Sequence, residues 1–153
     1  MIVMYTDGAS RGNPGPGGYG TVLISQKHQL RKEFSAGYRK TTNNRMELLA
    51  VIVGLEALKL AKTPVLVYSD SKYVVDAVEK GWIWGWLKKG FQGKKNGDLW
   101  QRFIRVYKKH DVSFKWVKGH AGIPENERCD QLAVEAAQSP NLLIDQGYEQ
   151  SMA

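Results

Sequence analysis

The sequence predicts an α/β fold, a five-stranded mixed β-sheet in which three consecutive antiparallel strands are followed by alternating helices and strands. Three observations predict it. Short apolar runs broken by Gly, Pro and polar residues fill the first forty positions. Beyond Thr42 the apolar spacing becomes helical. Val65–Tyr68 is then short and wholly apolar, as a strand covered on both faces must be.

Met1–Thr6 reads as the first strand, ended by a loop where Gly and Pro cluster between Gly12 and Gly18. Tyr19–Ser25 and Leu30–Tyr38 read as two more strands, joined through the polar Gln26–Gln29 as in a hairpin or meander. Met46, Leu49, Ala50, Val53, Leu55 and Leu58 then mark a helix of about five turns, with Thr42 or Asn43 as N-cap and Pro64 just past its end. After the Val65–Tyr68 strand come a helix near Ser71–Glu79 and, over Trp82–Gly97, a short helix running into an exposed loop. Leu99–Lys109 is helical by spacing, Val112–Val117 is the last strand and Pro124–Gln138 the last helix. Residues 1–140 are expected to form one catalytic domain, and Asn141–Ala153 a loosely held C-terminal tail.

A chain of 153 residues is long enough to bury a core of its own. Its net charge of +7 beside ordinary apolar content points to a polyanionic partner, nucleic acid foremost. Cys129 is the single cysteine, so no intramolecular disulfide forms, which suits a reducing compartment. Without a run of about eighteen apolar residues or a positively charged leader, no membrane span or secretion signal is expected, and a cytoplasmic monomer is.

Four carboxylates carry the chemistry. Asp7 follows the first strand and precedes a glycine-rich turn; Asp70 follows the Val65–Tyr68 strand in the same way. Two aspartates leaving neighbouring parallel strands meet at one edge of a sheet, although either alone is more often a cap or turn residue. Glu47 lies one turn into the first helix with Ala50 and Val51 beside it, so its carboxylate faces a costly burial unless a cation answers it. A glutamate there also suits the helix dipole without any metal. Asp130 raises the same question in the last helix. Converging carboxylates repel unless divalent cations neutralise them, and oxygen ligands suit Mg²⁺ or Mn²⁺ rather than zinc. The chain has neither a Cys/His cluster nor a Gly-x-x-x-x-Gly-Lys loop, which weakens zinc-hydrolase and nucleotide-triphosphatase readings. Trp82, Trp84 and Trp86 are followed by Lys88, Lys89, Lys94 and Lys95, interleaving stacking faces with phosphate-seeking cations. Trp82 and Trp86 share a helix face, so core packing is an equal explanation for one of them.

The segments TDGASRGNPGPGGYG from Thr6, TTNNRMELLA from Thr41, SDSKYV from Ser69 and KGHAGIPENERCDQLA from Lys118 resemble, in order and spacing, the four catalytic segments of type 1 ribonucleases H, over roughly Ile2–Ala137. The resemblance implies the ribonuclease H fold and cleavage of the RNA strand of RNA/DNA hybrids, with two Mg²⁺ ions held by Asp7, Glu47, Asp70 and Asp130 and products bearing 5′-phosphate and 3′-hydroxyl ends. It implies that Asp7 bridges both ions, that Asp130 helps hold the one activating water, and that Glu47 and Asp70 hold the other. His120 takes the place of the family's mobile histidine, a role its titration near neutrality fits. Gly8, Ser10, Gly12, Asn13, Asn43 and Asn44, with Glu47, correspond to the RNA minor-groove contacts, where 2′-hydroxyls distinguish RNA from DNA. Tyr73 and Trp82 correspond to the aromatic channel for the DNA strand, Lys88 and Lys89 to its basic flank, and Lys40, Thr42 and Asn96 to a pocket for a DNA phosphate. The basic stretch Lys88–Gly97 is shorter than in the best-known bacterial members. Relatives within the fold, such as transposases, integrases and junction resolvases, also use clustered carboxylates; the Asn43, Asn44 and Glu47 group beside the Trp82 region argues against them. A binding module without catalysis would lack a ligand, and all four are present.

Overall fold

A computed structural model describes residues 1–119 and 122–151. Its elements run β1 (Ile2–Ser10), β2 (Gly15–Ser25), β3 (Leu30–Thr41), α1 (Asn43–Glu56), β4 (Pro64–Ser69), α2 (Lys72–Glu79), α3 (Trp82–Lys88), α4 (Gly97–Tyr107), β5 (Asp111–Trp116), α5 (Pro124–Ala137) and α6 (Gln146–Ser151). The five strands form one sheet in the order β3-β2-β1-β4-β5. β1, β2 and β3 are antiparallel in sequence, while β4 joins β1, and β5 joins β4, in parallel. The fold class expected from the sequence is the one observed.

The main core lies between the sheet and the helices α1, α2 and α4, where Met4, Leu48, Ile52, Trp100 and Phe103 are fully buried. α5 covers the other face, with Cys129 and Leu132 against Val22. Burial there pushes the Cys129 thiol far above its ordinary value, so it is a packing residue rather than a nucleophile. No described helix is long and apolar enough to cross a membrane.

Three boundaries differ from expectation, each for a tertiary reason. β1 runs on to Ser10 and β2 starts at Gly15, so much of the glycine-rich stretch expected as loop is strand. A Cβ on Gly18 would lie 2.5 Å from the Ala133 carbonyl oxygen, so glycine here lets α5 settle onto the sheet. α1 ends at Glu56, about two turns' worth of residues before the chain reaches Pro64. There the Ala57 N–H bonds the Val53 and Gly54 carbonyls, and the chain doubles back through Lys62 at φ 59°, whose N–H donates to the Lys109 carbonyl at 2.6 Å. The third difference is the C-terminal segment. The expected loose tail is anchored: Leu143 bridges Tyr38, α6 follows, and buried Asp145 takes the Arg45 Nε–H at 2.8 Å. A buried charge demands such a partner, and Arg45 supplies it from α1.

Candidate active site

β1 and β4 are parallel neighbours, so the chain leaves both at the same edge of the sheet, where α1 also begins. Asp7 stands in β1 opposite Gly20, three residues short of the strand end rather than at it. Asp70 directly follows β4, and its peptide is pinned from two sides. The Trp116 indole N–H donates to the Asp70 carbonyl at 3.1 Å, and the Ser71 N–H donates to Ser69 Oγ at 3.1 Å. Thr42, not Asn43, caps α1, accepting the Arg45 N–H at 3.3 Å and so setting Glu47 one turn in. Gly8 is what lets that turn approach. A Cβ there would lie 2.5 Å from the Glu47 nitrogen and 2.6 Å from the Met46 carbonyl carbon. The glycine after Asp7 thus brings the Glu47 carboxylate up to the strand.

Asp7, Glu47 and Asp70 each offer an oxygen within 4.8 Å of the others. Glu47 is only 4% exposed, and its Oε1 has no hydrogen-bond partner among the described residues. Burial first, then the charges of Asp7 and Asp70, hold its carboxyl well above the usual range. The Asp7 carboxyl is pushed up to about 7, chiefly by burial and next by the Asp70 charge, with Asp130 adding to the rise and a hydrogen bond with Glu47 opposing it. Three carboxylate groups within ligand reach of one another, two of them held up against ionisation and one with an unanswered buried lone pair, fit a hard divalent cation. Asp130, on α5, stands outside this triad but lines both hollows that open on it.

The larger hollow, about 360 Å³, is walled by the four carboxylates together with Gly8, Asn43, Asn44 and Tyr73. The smaller, about 60 Å³, is lined by Asp7, Asp70 and Asp130 together with Lys118 and Asn126.

The RNase H profile matches residues 1–138. The chain belongs to the RNase H family. A ribonuclease H of Desulforamulus reducens is 60% identical over 149 residues, covering 94% of this chain and 92% of that protein. Among solved structures, a type 1 RNase H with the type 2 active-site motif superposes with a TM-score of 0.81 at 33% identity, over 99% of this chain and 80% of that one. An RNase H1 solved in complex with an RNA/DNA hybrid gives a TM-score of 0.68 at 29% identity, over 90% of this chain and 97% of that one.

The remaining residues expected at an RNase H site fall into three groups around the carboxylates. Ser10 ends β1 and Gly12 and Asn13 lie in the turn after it, where Asn13 Oδ1 accepts the Asn43 N–H at 3.1 Å, tying that turn to the start of α1. Lys40 lies near the end of β3, and Thr42 and Asn96, which precede α1 and α4, are linked through Arg45, whose N–H donates to Thr42 Oγ1 and whose Nη1 donates to Asn96 Oδ1. Trp82, Lys88, Lys89, Lys94 and Lys95 are exposed along and after α3, where Trp82, Trp86, Lys89 and Lys94 border a hollow of about 330 Å³. Trp84 packs inward onto Tyr107, while Trp86 both borders the hollow and packs edge-on against Trp100. The ring partner of Tyr73 is Trp100, at 5.7 Å, not Trp82. His120 lies outside the described residues.

Sequence reasoning passed over Asn126, Trp116 and Arg45. Asn126 sits one helical turn before Asp130, on the same face of α5, and its Oδ1 is buried without a partner among the described residues. The i, i+4 spacing from an acidic candidate was the available signal. For Trp116, which reaches Asp70 from a neighbouring strand, no local signal exists.

Proposed function

We propose that this RNase H hydrolyses the RNA strand of RNA/DNA hybrids with two divalent cations, Mg²⁺ or Mn²⁺, held by Asp7, Glu47, Asp70 and Asp130, leaving 5′-phosphate and 3′-hydroxyl ends. The observation that carries this reading is the buried Glu47 oxygen without a partner among the described residues, beside Asp7 and Asp70 within ligand reach. Such ions, when bound, activate water and offset charge on the leaving 3′ oxygen. The chain's own groups do the rest. Gly8, Asn43 and Asn44, on the wall of the carboxylate groove, offer donors and acceptors for 2′-hydroxyls of the RNA strand. Lys40, Thr42 and Asn96 receive a DNA phosphate, while Trp82 and the lysines from Lys88 onward flank the DNA strand. His120 serves proton movement beside the attacking water. The hybrid bound to the relative described above supports this substrate class. In this reading the protein works as a cytoplasmic monomer.

The test is cleavage, in Mg²⁺, of end-labelled RNA/DNA hybrid, double-stranded RNA and double-stranded DNA of one sequence. Cleavage confined to the RNA of the hybrid is expected, with termini that accept ligation only as 5′-phosphate and 3′-hydroxyl. Cutting of the DNA strand, or of double-stranded RNA at an equal rate, would sink the reading.

A further inference from the structure

Beneath Lys40, Thr42 and Asn96 lies a hydrogen-bonded assembly that the reaction itself does not call for. At its centre is Arg45, 3% exposed. Its Nε–H and one Nη2–H go to Asp145 at 2.8 and 2.9 Å. Nη1 and Nη2 donate to Asp98 at 2.8 and 2.7 Å, and the remaining Nη1–H goes to Asn96 Oδ1 at 3.3 Å. A guanidinium has five N–H donors, and all five are used. Arg45 therefore has nothing left with which to bind a phosphate.

What it does is orient the groups that have. Because Asn96 Oδ1 accepts from Arg45, the Asn96 amide nitrogen must face the other way; one of its N–H groups reaches the Tyr73 hydroxyl at 3.0 Å, and the second has no partner among the described residues. The Tyr73 hydroxyl is fixed in turn by the Trp100 indole N–H at 2.9 Å. Asn96 holds a left-handed backbone at φ 65°, and its side chain makes no cap bond to α4, so it is given over to this network. The Arg45 backbone N–H holds Thr42 Oγ1. Lys40 is bracketed too. On one side Arg39 makes a two-pronged pair with Glu149, at 2.9 and 2.8 Å, and its N–H bonds the Leu143 carbonyl. On the other, the Thr41 hydroxyl donates to Asp145 at 2.6 Å.

We propose that the C-terminal segment, through Asp145 acting on Arg45, is the positioning element of the pocket that receives a DNA-strand phosphate, with Asp145 and Arg45 as positioning residues that never touch the substrate. This rests on the reading that Thr42 and Asn96 meet that phosphate. Contacts to phosphate fix register, so a pocket held by residues 143–149 makes the docking of the DNA strand depend on the far end of the chain. The five-donor accounting separates this from direct binding by Arg45. The bracketing of Lys40 separates it from a clasp that only steadies α6.

The experiment compares wild type with D145N and, as a milder cut on the surface, E149Q. The probe is an RNA/DNA hybrid in which a single neutral methylphosphonate is walked along the DNA strand. In wild type one position should raise KM about tenfold, the weight of one charge-assisted hydrogen bond. D145N should raise KM for unmodified hybrid several-fold with kcat within about twofold, and should lose most of the penalty at that one position. E149Q should lose part of it. Thermal melts establish which variants are folded at the assay temperature. A folded D145N with wild-type KM and the full penalty overturns the proposal. If D145N is unfolded, an unchanged penalty in E149Q overturns it instead. T42A and N96A separate the two readings: if they keep the penalty, the pocket itself is misplaced, whereas if they lose it and D145N does not, only the positioning role falls.

Discussion

Two charged clusters share the first turns of α1, and they are opposites. Arg45 and Glu47 are two residues apart, both at least 96% buried, and they point to different sides of the helix. Around Arg45 the charges are answered: two carboxylates and one amide oxygen take all five donors, and the carboxylate hydrogen bonds outweigh the burial that works against the cation. Around Glu47 they are not. Three carboxylates crowd together, burial and mutual repulsion hold two of them protonated well above the ordinary range, and one oxygen is left without a partner among the described residues. A balanced buried cluster organises its surroundings, whereas an unbalanced one stores, once ionised, unfavourable free energy that protonation or a bound cation relieves. The difference marks which cluster is structural and which is chemical.

If that division holds, the two clusters answer mutation differently. The largest effect belongs to Asp70→Asn. It keeps the shape and removes the charge, so cleavage in Mg²⁺ should fall by on the order of a thousandfold or more, about 4 kcal/mol of transition-state stabilisation. Hybrid binding should persist on the basic surface. Single-turnover cleavage beside a binding titration checks both halves, and substantial activity in the variant would remove Asp70 from the ligand set.

Arg45→Met should give a change of comparable order, a loss of about 3 kcal/mol in urea melts, because it strands the buried Asp145 and the half-exposed Asp98. Asp7→Asn should do the reverse. The folded Asp7 carboxyl titrates at about 7, above its unfolded value near 4, so the fold opposes an ionisation that the unfolded chain undergoes freely. The penalty is absent below pH 4, grows as pH rises from 4 to 7, and is then fully present. Melts in EDTA at pH 7 should therefore find Asp7→Asn more stable by up to about 4 kcal/mol, about three pH units at about 1.4 kcal/mol each, the gain vanishing near pH 4. Added Mg²⁺ should close part of the gap by stabilising wild type alone. An Asp7→Asn variant less stable than wild type at pH 7 would mean that the carboxylates are not in repulsion.

The contrast also explains what could be read in advance. Asp7, Glu47 and Asp70 were legible as candidates because parallel β1 and β4 and the first turn of α1 meet at one edge of the sheet, although Asp7 lies inside β1 rather than at its end and Asp130 stands outside the triad. Arg45 was not, because nothing within its own helix shows that Asp98 and Asp145, 53 and 100 residues away, complete it. The tail was misjudged for the same reason. Nothing local shows that Asp145 is buried, since only Arg45 of α1 makes that burial tolerable. The glycine-rich stretch after Asp7 was misread because Gly is ordinarily a strand breaker, and the helix lying against Gly18 is a fact about α5, not about β2.

The smallest effect should come from a third kind of charge, exposed and without a carboxylate partner. Lys88, Lys89, Lys94 and Lys95 are exposed and make no salt bridge among the described residues. Replacing all four by Ala should leave the melt within about 0.5 kcal/mol of wild type, as exposed positions do. Their effect is to be sought in hybrid binding, where each lysine that meets a phosphate releases counterions. For every phosphate that is no longer neutralised, the slope of log K against log salt should flatten by about 0.9, or roughly 0.7 if the flanking strand is single-stranded in character. The four are not equal. Lys94 lies 5.2 Å from the Trp86 ring centroid, an attraction that already holds its ammonium against the protein, so restoring Lys94 alone should recover less slope than restoring Lys88 or Lys89. A fourfold variant with an unchanged slope would place the DNA strand elsewhere, and one with a large loss of stability would show that these lysines belong with Arg45 rather than with the substrate.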